Sequence, residues 1–261
     1  MKDVFKYTFT TIADVNKFLF IILVVSILTL IEAFPVISIV GFIFEKLIYL
    51  SIGVLLIHIV KITNNEDEFF NTLKKQSFLA FLIHFFPVAS GIMLGIIVIF
   101  TFFATFFIII LQFSNSLFIL ANPHNILISL SKTTFIAQLL IGLYSVYLLF
   151  FSYIFLGKLG EALSKDSFKE GFLSIISSVI DFKFWINSFN LKYLGIYIVW
   201  SITVFSVYAL ISFTYIFYIF PLIIQNPNFS LIIIPLLVAI TTIITYFTFL
   251  SGYFAYKSTI V

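Results

Sequence analysis

Apolar runs long enough to cross a bilayer alternate with short polar stretches along the whole chain. A helical crossing needs about 20 consecutive, mainly apolar residues, so the windows between charges are the natural units. Residues 18–60 are interrupted only by Glu32, Glu45 and Lys46, and predict two spans, at 18–37 and 41–60, with Pro35 and Gly41 at the turn. Residues 76–131 carry no charge, but their last third holds Asn115, Asn122, Pro123, His124 and Asn125. One span at 87–112 followed by an external loop is expected there. A fourth span is expected at 133–156. The stretch 193–256 is too long for one crossing; Pro221 and Gln225-Asn226-Pro227-Asn228 divide it into spans at 193–220 and 231–256.

The segments between the spans have a different period. In 166–184, apolar Phe168, Phe172, Ile175, Ile176, Val179 and Ile180 oppose Asp166, Lys169, Glu170, Ser174, Ser177 and Asp181. That is helical spacing with one greasy and one charged face, which suits a helix lying in a membrane interface. Ser167 with Glu170 reads as a capping box. Residues 3–16 repeat the pattern with Phe5, Phe9 and Ile12 opposite Asp3, Lys6, Thr10, Asp14 and Lys17. A third interfacial helix is predicted at 66–84, where Asn65 precedes Glu66-Asp67-Glu68, acids that suit a helix N-terminus. Each segment opens with an acid and a Phe two residues on (Asp3/Phe5, Asp67/Phe69, Asp166/Phe168) and leads into two spans. Three units of interfacial helix, span and span are one reading; convergent ways of entering a membrane are the other.

Composition agrees with this pattern. Of the 261 residues, 62% are hydrophobic and 10% charged, and 37 are Phe. Mean hydropathy is +1.21. Soluble domains are about 45–50% apolar and about 25% charged, so a cytosolic enzyme, a secreted module and a disordered chain are excluded. Without Cys there is no disulfide or thiolate chemistry. All 14 basic residues are Lys, so guanidinium clamps for phosphate are absent, and a net charge of +3 gives no case for nucleic acid.

Lysine placement predicts the orientation. With the N-terminus inside, twelve Lys fall on the inner segments and only Lys46 and Lys132 outside, the asymmetry of the positive-inside rule. Both termini are then cytoplasmic in the cell membrane. No small-residue cleavage site follows the first apolar run, so the first helix is expected to stay as an anchor.

Ionisable groups at membrane depth are the default functional candidates. Glu32 and Lys46 flank the first external turn and would pair, with Glu45 adjacent, either as an ion-handling site or as a pin for the hairpin. Thr241, Thr245 and Thr248 form a hydroxyl stripe on the last span, with Gly252 on the same face and Thr242 and Ser251 beside it. It would line a polar path or serve as a helix contact. Gly91 and Gly95 make a GxxxG for close helix approach. Tyr193, Tyr197, Trp200, Tyr253 and Tyr256 suit an aromatic belt, and Asn228-Phe229-Ser230 is a glycosylation sequon in an external loop. His58, His84 and His124 are scattered, and no metal-ligand, nucleophile-elbow or nucleotide-loop spacing occurs. No catalytic, metal or cofactor site is expected.

Three stretches carry a family likeness: Asn64-Asn65-Glu66-Asp67-Glu68-Phe69-Phe70 with Leu73-Lys74-Lys75; the Phe86-Pro87 step; and Lys165 to Phe172, running through Ile180-Asp181-Phe182 to Lys192-Tyr193-Leu194. Here the chain resembles an archaeal family of polytopic membrane proteins, domain-of-unknown-function family four thousand and thirteen. That resemblance implies an all-helical bundle over nearly the whole chain and supplies no activity.

The expectation is therefore an all-α integral membrane protein of six transmembrane helices, with two or three amphipathic interfacial helices on the cytoplasmic side. A non-enzymatic scaffold or accessory component of a membrane assembly is the first functional reading, and a small-molecule or lipid transporter the second. The expected partners are the lipid bilayer and a protein on the cytoplasmic face, with no cofactor and no nucleic acid.

Overall fold

The computed structural model describes residues 1–32, 34–35, 37–113 and 135–260. His124, Lys132 and the loop expected around them lie outside the described residues. All regular structure among the described residues is helical, and six helices are long and apolar enough to cross a membrane. The protein is an all-α, multi-pass membrane protein.

Helix α1 (Lys2–Ala13) leads directly into α2 (Val15–Glu32), and a short turn connects to α3 (Ser38–Ile62). The short helix α4 (Glu66–Lys75) precedes the long α5 (Phe78–Phe113). Then come α6 (Phe135–Leu163), α7 (Phe168–Ser177), α8 (Phe182–Ser188) and α9 (Leu191–Thr214). A π-helical turn (Tyr215–Ile219) continues α9 into α10 (Phe220–Gln225), and α11 (Ser230–Ile260) closes the chain. In element order, short amphipathic helices precede a pair of spans three times.

Helix α3 is the centre. Between Leu47 and Val60 nearly every side chain is buried, because α2, α5 and α11 all pack on it. Burying this stretch on every side leaves it no stripe for lipid, whereas Ile39, Val40, Phe42 and Phe44 in the first turns of α3 are exposed. The opposite case is α9, which rests on α11 and leaves Ile198, Ile202, Phe205 and Leu210 exposed, as suits a lipid-facing helix.

Close approaches are made at glycines. A Cβ on Gly160 of α6 would lie 2.1 Å from the backbone of Gly252 on α11, so these two helices touch through their main chains. The GxxxG of α5 receives α7: a Cβ on Gly91 would lie 2.2 Å from the Phe168 carbonyl oxygen, and one on Gly95 3.0 Å from Ile175. Further along the seam, Val98, Ile99 and Phe102 face Ile176, Val179 and Ile180. Contacts on α5 thus advance from Gly91 to Phe102 as those on α7 and the turn after it advance from Phe168 to Ile180. The segment climbs alongside the span instead of lying flat across its end.

Several boundaries differ from the sequence expectation, each for a local reason. The helix predicted at 66–84 stops at Lys75, where Gln76 turns extended, and the span starts at Phe78 and runs through Pro87. The helix predicted at 166–184 is two helices. Asp181 accepts a hydrogen bond from the Phe184 N–H at 3.0 Å and so caps a fresh helix, while Trp185 Nε1 donates to the Ser178 carbonyl at 2.9 Å across the break. Pro221 does not end the fifth span: it sits in the first turn of α10, where a missing N–H is tolerated, and the π turn before it carries the helix on to Gln225. Tyr193 is not a belt residue. Its ring is fully buried against Gly157. Its hydroxyl accepts from the Gly157 N–H at 3.0 Å and donates to the Tyr153 carbonyl at 2.6 Å, inserting into the hydrogen-bond ladder of α6.

Candidate functional site

Polar side chains gather at two places, one at each end of the bundle. The first lies where α2 ends beside the start of α3. Glu32 packs over Gly41, where a Cβ would come within 3.0 Å of its Cγ. The pairing expected between Glu32 and Lys46 is instead made by Glu45, whose Oε1 accepts from Lys46 Nζ. Glu45 is on the same helix, one residue away and buried, whereas Glu32 feels Lys46 only through space. One Glu32 oxygen, Oε1, is buried with no hydrogen-bond partner. The Lys46 ammonium also lies 5.1 Å from the centre of the Phe42 ring.

Beside Glu45 is a cavity of about 220 Å³ bordered by Thr29, Glu45, Tyr49, Leu237 and Thr241. It brings part of the threonine stripe to the acidic cluster, a conjunction not foreseen from sequence. The rest of the stripe diverges. Thr241 and Thr245 donate to the carbonyls of Leu237 and Thr241, Thr248 accepts from Trp200 Nε1 at 3.1 Å, and Thr242 meets the Tyr49 hydroxyl at 3.0 Å. Tyr49 is the residue the sequence reading missed, since one Tyr among thirteen carries no signal of its own. Gly252, on the same face, packs against Leu156 and Gly160 and opens no path.

The second place is the other end, where the amphipathic helices are latched to the spans. Lys6 of α1 bridges Glu66 of α4 at 3.0 Å, and Thr10 donates to the same carboxylate at 2.6 Å. These two partners, Thr10 first, hold Glu66 below the usual carboxylate range. Lys17 of α2 reaches Asp14 at 2.7 Å and the carbonyls of Leu73 and Lys74 that end α4, which suits a cation at a helix C-terminus. His58 of α3 bonds Asp166 at 2.6 Å and lowers its pKa. Lys61 donates to the Ser164 carbonyl.

Lys158 is the most deeply placed of these groups and was not foreseen. It is 1% exposed. Its ammonium donates to Glu161 at 2.7 Å and Asp181 at 2.5 Å, and lies 4.5 Å from the centre of the Phe184 ring. Burial pushes the Asp181 carboxyl up, but the Lys158 ammonium and the Phe184 N–H outweigh it and leave it below the ordinary value. The chain does hint at this site. Gly157 and Gly160 flank the lysine on the last turns of a span, and small neighbours let other helices close over a long side chain.

No family model, curated protein or solved structure matches the chain. The site must therefore be read from its chemistry. Among the described residues no three His, Cys, Asp or Glu stand close enough to hold a metal ion. The buried ammonium of Lys158 is paired with Glu161 and Asp181, and Lys46 with Glu45, so these charges hold neighbouring segments together.

Proposed function

We propose that this protein is a non-enzymatic scaffold or accessory component of a membrane assembly, resident in the cell membrane, with its charged end and both termini in the cytoplasm. The reading rests on one observation: four short helices at that end are fastened to the spans and to each other by the Lys6–Glu66, Lys17–Asp14, His58–Asp166 and Lys158–Asp181 contacts. Held this way they make a rigid platform. Asp67, Lys74, Lys75, Lys169, Glu170 and Lys183 stand exposed on it and make no ion pair among the described residues. Unspent charge of both signs on a rigid face suits a protein partner. The likeness to the archaeal family of unknown function stays part of this proposal, carried by the three sequence stretches quoted for it.

The cavity beside Glu45 and Thr241 favours a second reading, a small-molecule or lipid transporter. One experiment separates the two. The tagged chain is purified in mild detergent, wild type beside a Lys169→Glu/Lys183→Glu variant, and each is reconstituted alone in proteoliposomes. The scaffold reading expects a near-stoichiometric protein partner that the variant loses, and solute permeability equal to empty vesicles. Permeability above that baseline, abolished by Thr241→Leu, with no partner retained, would replace it with transport.

A further inference from the structure

A cavity lies at the charged end, between the start of α9, the end of α11 and the first turn of α1. It measures about 580 Å³. Its walls are graded. Toward the middle of the spans it is lined by Gly195, Val199 and Phe254, and at its rim stand Lys192, Lys257 and Asp3. A Cβ on Gly195 would meet nothing within 4 Å, so the groove stays open on that side.

The charges at the rim do not cancel. Neither Lys192 nor Lys257 forms an ion pair among the described residues, and both are exposed. Asp3 is the one carboxylate on the rim. The ammonium groups of Lys192 and Lys257 outnumber that carboxylate, so the rim is net positive. The rim is also held in place: Asn190 donates to the Ser258 carbonyl at 3.2 Å, which ties the first turn of α9 to the last turn of α11. Both helices end here, so the rim lies at the level where phospholipid headgroups meet the hydrocarbon.

We propose that this groove binds one anionic phospholipid, its phosphodiester between Lys192 and Lys257 and one acyl chain along Gly195, Val199 and Phe254. Lysine-rich pockets between transmembrane helices attract such headgroups as compact point charges. A soluble phosphate would satisfy the lysines but leave the apolar wall uncovered. A neutral lipid would cover the wall but leave the lysines unanswered. Only a ligand with both parts matches the gradient. The site does not depend on the scaffold reading and would stand if that reading failed.

The test uses the full-length chain, stripped of lipid in detergent. Phosphatidylglycerol, phosphatidylcholine and phosphatidylethanolamine of equal chain length are titrated in turn, and glycerol phosphate serves as the headgroup alone. Bound lipid is counted by native mass spectrometry. One tightly retained phosphatidylglycerol is expected, bound at least tenfold more tightly than phosphatidylcholine, with glycerol phosphate not retained. Lys192→Gln/Lys257→Gln, at two exposed positions that make no ion pair among the described residues, should reduce phosphatidylglycerol to the phosphatidylcholine level. Gly195→Leu should weaken both lipids by filling the groove. Equal affinity for the two lipids, or binding undiminished in the double variant, overturns the proposal. Phosphatidylethanolamine binding as tightly as phosphatidylglycerol would also overturn it, and would assign the Asp3 carboxylate to the headgroup amine.

Discussion

Gly160 and Gly252 set the distance between α6 and α11. The Cβ of an alanine at position 160 would sit 2.1 Å from Gly252 main-chain atoms, and no side-chain rotation relieves a clash with backbone. Gly160→Ala should destabilise the protein by about 1–3 kcal/mol, the usual cost of overpacking. At Gly142, on the same helix, a Cβ meets nothing, so Gly142→Ala should change stability by about 0.5 kcal/mol or less. Thermal melts in one detergent compare them, and equal melting points would contradict the close contact. Lys158 allows a sharper test, because the outcome depends on which charge is left behind. Glu161→Gln with Asp181→Asn strands a buried ammonium without a counter-charge and should destabilise by roughly 3–5 kcal/mol. Adding Lys158→Met removes the stranded charge and should restore most of that loss. If the triple variant is no more stable than the double, the cluster is not held together by its charges.

At the level of elements, the acids that latch the short helices give the charged end a pH dependence. Thr10 and Lys6 hold Glu66 below its ordinary value, and His58 does the same for Asp166. A carboxylate whose folded pKa is depressed contributes stability in full above its unfolded pKa, about 4, and loses it as pH falls through the lower folded value. The latches should therefore weaken only below about pH 4. Glu66 and Lys6 are well exposed, so the consequence is local loosening and not global unfolding. Hydrogen exchange should show α1 losing protection on acidification while α3 keeps it, and Glu66→Gln should give α1 the same loosened exchange at neutral pH. Uniform loss of protection along the chain would contradict this. These elements also mark how far the sequence could be read. The six spans were legible because a run of apolar residues answers to the bilayer alone. The split at Asp181, the seating of α7 on Gly91 and Gly95, and the Tyr193 hydroxyl inside α6 were not. The last two are decided by a partner far away in the chain, and hydrophobic period carries no information about partners. The split is decided by the local cap that Asp181 places on Phe184, which an unbroken apolar period hides. For Glu32 and Lys46 a shared depth was legible, and so was Glu45 beside the lysine; which of the two acids the ammonium would take was not.

For the whole molecule, the distribution of charge predicts which end faces the cytoplasm. The latched end collects Lys2, Lys6, Lys17, Lys61, Lys74, Lys75, Lys158, Lys165, Lys169, Lys183, Lys192 and Lys257, and among the described residues the other end has Lys46 alone. Lysine near the ends of spans is retained on the side from which a chain inserts, so the latched end should be inside. The chain lacks Cys, and a single introduced thiol is therefore an unambiguous reporter. Lys169→Cys on α7 and Asn228→Cys between α10 and α11 are both at exposed positions, at opposite ends of the bundle. In intact cells a membrane-impermeant maleimide should label the thiol at 228 and leave the thiol at 169 untouched until the membrane is permeabilised. The reverse pattern would turn the molecule over. The latched platform would then face outward, the cavity beside Glu45 would open toward the cytoplasm, and the partner proposed for the platform would have to be sought outside the cell.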